Sequence, residues 1–75
     1  MSDMERQEAL AEAAYEAMYD ATSRHVVKAH YEDACQHFGR AIAAASAAGS
    51  AKDAARLEQR LRHVRTVYDH QFRGV

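Results

Sequence analysis

The stretch GSAKDAARLEQRLRHVRTVYDHQF, residues 49–72, decides the fold. Its apolar residues fall at Ala54, Leu57, Leu61, Val64, Tyr68 and Phe72, three or four positions apart. That period belongs to one face of a helix and not to a strand. The alternation of three and four also makes a packing seam. Gly49 stops whatever precedes it, because glycine readily takes the left-handed conformation that ends helices. Ser50 and Asp53 repeat the spacing of a capping box, with Asp in place of Glu. The pattern predicts a helix over about 51–72, closed by Gly74, and an earlier helix ending near 48.

Upstream, Tyr31, Ala34, Phe38, Ala41, Ile42 and Ala45 form a second stripe, which predicts a helix over about 29–48. Gly39 lies inside it, at a cost of about 1 kcal/mol relative to Ala, and is expected to admit a neighbouring backbone. At the N-terminus, Ser2 and Glu5 have capping-box spacing, and acids crowd the first turns, where the helix dipole favours them. A third stripe runs Leu10, Ala14, Met18, Ala21, with Tyr15 beside it. Asp20-Ala21-Thr22-Ser23 offers capping side chains, but a turn near Lys28-Ala29-His30 leaves the Tyr31 stripe cleaner. The first helix is therefore expected over about 3–27. Proline is absent, and strong helix formers dominate.

Seventy-five residues make one domain at most. The expectation is an all-α fold: a small three-helix antiparallel bundle over 1–75, its short connections making sequence neighbours spatial neighbours. The expected core is Leu10, Ala14, Met18, Ala34, Phe38, Ala41, Ile42, Leu57, Leu61, Val64, Tyr68 and Phe72. Alanine supplies little area, so such a core is barely sufficient, and self-association is expected to make up the shortfall.

The formal charge is −1, yet its distribution is lopsided. Residues 1–20 carry six acids against Arg6, a net of −5, whereas residues 51–75 carry a net of +3. Helices one and three are thus complementary. They are expected either to pair within one chain or to pair between the subunits of an antiparallel or swapped dimer.

Helix two carries a family resemblance. Tyr31-Glu32-Asp33-Ala34, then Phe38, then Ala41-Ile42, resembles the second helix of a tetratricopeptide-type hairpin, where small residues let helices touch and aromatics fill the flanking groove. The preceding helix departs from that pattern, with Met18, Ala21-Thr22 and His25 at the matching positions. The three-helix layout over about 10–72 is also similar to small microtubule-interacting-and-transport domains, although helix three lacks their Arg-Ala-Glu-like ending. Either resemblance implies recognition of short helical or extended peptides in grooves between helices, and neither implies an enzyme.

Few groups point to chemistry. There is no glycine-rich phosphate loop, no nucleophile elbow and no paired Cys-x-x-Cys. Glu8 and Glu12 are expected on a solvated helix face. His30 and His37 are seven apart, as are His63 and His70, which is about 10 Å along a helix and too far to share a metal. Asp33 and His37 are four apart, but need ligands from another helix. No metal and no cofactor is expected. The single cysteine, Cys35, reads as structural, in a reducing compartment. No segment is long enough to span a membrane, and the acidic start is unlike a signal peptide. A cytoplasmic location follows by default.

The function expected is protein–protein interaction or homo-oligomeric assembly, without catalysis. Apolar residues off the stripes, Tyr15, Tyr19, Val27, Tyr31 and Val67, are the candidate contact surface, with packing at the core's edge as their alternative. The alternative function is nucleic-acid binding through Arg56, Arg60, Arg62 and Arg65 of helix three. Near-neutral charge argues against it.

Overall fold

The computed structural model describes residues 2–72, so the stop expected at Gly74 lies outside them. It is an all-α three-helix bundle: α1 spans Asp3–Asp20, α2 Arg24–Ala47 and α3 Ala51–Val67, with wide π turns continuing α3 over Tyr68–Phe72. Each helix opens on a serine. Ser2, Ser23 and Ser50 accept hydrogen bonds from the amides of Glu5, Val26 and Asp53, satisfying donors that a helix start leaves unpaired.

The first helix is shorter than expected. It ends at Asp20, and α2 starts at Arg24, not 29. Ala21 is extended and Ser23 caps the next helix. The local capping chemistry of residues 20–23 outweighed the cleaner stripe starting at Tyr31. The other turn is as expected. Gly49 sits at φ +75°, and the amides of Gly49 and Ser50 bond back to the carbonyls of Ser46 and Ala45, a Schellman stop.

Gln7 of α1 meets His37 of α2, and Tyr31 of α2 stacks on Tyr68 beyond α3. Sequence neighbours are antiparallel, so α1 and α3 run parallel. Their contacts keep a constant offset of 48 residues. The molecule is a slab of 40 × 21 × 12 Å.

The core is Ala11, Tyr15, Met18, Ala34, Phe38, Ala41, Ala45, Leu57, Leu61 and Val64. Four of the ten are alanines, so Phe38, Met18, Leu57 and Val64 supply most of its volume. Leu10, expected inside, is 45 % exposed, and Ala11 takes its place. The α1 stripe is rotated by one residue, because Ala11, Tyr15 and Met18, four and three apart, form the buried face. Ala14, Ile42, Tyr68 and Phe72 are half-buried and pack against the core from its margin. Gly39 does not receive a backbone either: it is exposed, with open space where a Cβ would stand.

Candidate interaction surface

The seam between α1 and α3 absorbs the charge opposition read from the sequence. Arg56 grips Glu8 at 2.7 and 3.1 Å, and Arg60 grips Glu12 at 2.8 and 2.9 Å. Both pairs are bidentate, the geometry a guanidinium offers a carboxylate. The Arg56 guanidinium holds the Glu8 carboxyl below its ordinary range. One turn on, the Arg60 guanidinium lies 5.1 Å from the centre of the Tyr15 ring, a cation–π contact. Tyr15 and Tyr19 join hydroxyls at 3.1 Å and rings edge to face at 5.6 Å. Tyr19 then meets Phe72 at 5.2 Å. Two of the six acids of α1 thus meet arginines of α3 within one chain.

The five candidate contact residues divide. Tyr15 is buried, and burial, aided by the Tyr19 hydroxyl, pushes its phenol up to about 12. It belongs to the core and offers no free surface. Tyr31 stacks on Tyr68 at 3.9 Å, and burial, with a hydrogen bond from its hydroxyl to Cys35, raises its phenol to about 12 as well. Val27 and Val67 are half-buried against the core. Tyr19 alone of the five is largely open, at 52 % exposure.

Tyr19 stands on a cleft of about 310 Å³ at the end of the bundle where α1 turns into α2. Met18, Val27 and Phe72 give it apolar walls, and Thr22, Ser23 and Arg24 a polar lip. Three features build it. The short 21–23 connection pulls the helix ends together, helix α2 begins without an acid in its first turn, and the π turns swing Phe72 towards Tyr19. Arg24 and Lys28 stand in the first turns of this helix, adding to the positive end of its dipole. The volume is at the low end of ligand pockets, enough for one bulky side chain.

Leu10 and Val26 are the other large apolar residues left open among the described residues, at 45 % and 41 %. Sequence patterning missed both: Leu10 fitted the α1 stripe, and Val26 fell on the wrong side of the expected helix boundary.

Of the four candidate nucleic-acid contacts, Arg56 and Arg60 are engaged by Glu8 and Glu12, while Arg62 and Arg65 are exposed. Among the described residues no three His, Cys, Asp or Glu side chains converge on a point that would hold a metal. His37 Nδ1 instead donates to Gln7 Oε1 at 2.7 Å, and His63 packs edge-on to Tyr15. No helix among these residues is long and apolar enough to cross a membrane. Compared with known proteins, the chain matches no family model, no curated protein and no solved structure.

Proposed function

We propose that the chain is a non-catalytic protein-docking module that works in interaction or assembly in the cytoplasm. The observation that carries this reading is the open Tyr19 beside an apolar cleft, on a bundle whose other strong interactions close internally. A buried aromatic anchor in such a cleft is the usual source of binding energy at small interfaces. The occupant proposed is a peptide segment of a partner protein that presents one bulky apolar side chain next to an acid. The apolar side chain suits Met18, Val27 and Phe72. The acid suits the positive end of the α2 dipole, where exposed Lys28 adds a cation one turn on. The lone Cys35, held against Tyr31, fits a reducing compartment. Nucleic-acid binding is the less favoured reading, because half of the arginines it needs are spent on carboxylates.

A photoreactive benzoylphenylalanine placed at Tyr19 in living cells tests the proposal, with the same group at exposed Ala43 on the back of α2 as control. Discrete protein adducts from position 19 and none from position 43 are expected. Equal or absent adducts from both positions would contradict it.

A further inference from the structure

We infer that the outer face of the α1–α2 hairpin, turned away from α3, is a self-association surface that takes a second copy of this chain in antiparallel register. This face is separate from the Tyr19 cleft and goes beyond the docking reading above. Its place follows from the contacts of each helix. Glu8 and Glu12 lie on the side of α1 that meets α3, and Gln7 on the side that meets α2. Leu10 lies farther round on the Gln7 side, beyond the buried Ala11. On α2, Tyr31 marks the α3 side and His37 the α1 side, and Val26 shares the His37 side. Leu10 and Val26 are thus on one face, and they are two of the three large apolar residues left open among those described.

The face has the shape of a self-complementary patch. Val26 stands level with Met18 near the turn, eight residues from Leu10, or about 12 Å at 1.5 Å per residue. Between them α1 shows Ala13, Ala14 and Ala17, and α2 shows Ala29. Two bulky ends flank a low middle. A two-fold axis through the middle sets each Leu10 against the other copy's Val26 and lets the alanines meet. Such an isologous contact is the commonest way for identical chains to close. Small central residues let the helices approach closely.

A second copy is favoured over a foreign partner for two reasons. Asp33 is the single ionised residue between the two bulky ends, so the face lacks the charge contrast that would select a different chain. The slab is only 12 Å thick, with four alanines among its ten core residues, so layering two copies supplies the apolar burial that one lacks.

Sedimentation equilibrium of the full chain across a hundredfold concentration range tests this directly. The expected result is a reversible passage from one to two chain masses, with the midpoint raised at least tenfold by Leu10→Ser or Val26→Ser. Both sites are open, so helix content by circular dichroism should not change. One chain mass throughout overturns the inference, as does growth beyond two. Register is tested in a Cys35→Ser background by oxidative cross-linking. Leu10→Cys mixed with Val26→Cys should cross-link faster than either variant with itself, and faster like-with-like linking overturns the antiparallel arrangement. The Tyr19 adducts report separately: an adduct of twice the chain mass and one of another mass are distinguished by mass spectrometry.

Discussion

Breaking the Glu12–Arg60 pair measures how firmly α3 is held to α1. Ion pairs exposed on a surface contribute about 0.2–1 kcal/mol. This one is bidentate, with side chains 33 % and 37 % exposed, and links residues 48 apart. It belongs near the top of that range, so a coupling energy of about 1 kcal/mol is expected. Arg60→Ala also removes the guanidinium from the Tyr15 face, which adds roughly 0.5–1 kcal/mol. The single variants should therefore lose about 1 kcal/mol for Glu12→Ala and about 1.5–2 kcal/mol for Arg60→Ala, and the double variant little more than the larger of these. A domain of this length has only about 4–11 kcal/mol in all. Urea denaturation followed at 222 nm reads these losses. With a slope of about 1 kcal/mol per molar, Arg60→Ala should move the midpoint down by about 1.5 M. Repeating the cycle in 1 M NaCl should shrink the coupling, since the screening length falls to about 3 Å. A low-salt coupling under about 0.3 kcal/mol would refute the reasoning, because α3 would then not rest on α1 through this pair.

Ser23→Ala should cost about 1 kcal/mol if α2 truly begins at Arg24, and next to nothing if the chain runs on helically to residue 27; chemical denaturation separates the two. Gly39→Ala should raise the melting temperature by a few degrees, as an exposed helical glycine with open space around it gains about 1 kcal/mol. Gly49→Ala, at φ +75°, should lower it by a similar amount. Glu8 has a depressed folded-state pKa, so its contribution is present above its ordinary value of 4.5 and is lost as pH falls through the lower folded value. Glu8→Gln should accordingly flatten the stability profile below about pH 4.5. Tyr15 and Tyr31 shift the other way, from 10.0 to about 12, so stability should fall between those values as the unfolded phenols ionise first. Absorbance at 295 nm should show Tyr15 and Tyr31 titrating late.

How much of this was legible in the sequence varied by element. The α3 stripe and the Gly49-Ser50 stop were plain, because periodicity and a capping glycine pointed the same way. The α1–α2 boundary is ambiguous in sequence because two local signals compete there, and the capping chemistry of residues 20–23 decides it. Leu10 fits a core stripe because alanines on both sides of it leave that stripe ambiguous by one residue, and only the packing of α1 selects Ala11 over it. The charge opposition was legible as a total. Which residues pair depends on the parallel offset of α1 and α3 that joins Glu8 to Arg56. The cleft was hidden for a related reason: Tyr19 was a candidate, but its wall is completed by Phe72, which the π turns carry out of the stripe's regular register.

The central claim is that partners dock at the turn between α1 and α2. It is tested most directly by titrating the protein captured through position 19 into ¹⁵N-labelled chain and following the amide resonances. Shifts concentrated in residues 18–27 and 71–72, and lost in Tyr19→Ser, are the expected result. Shifts centred on Arg62 and Arg65, with the turn unmoved, would contradict it.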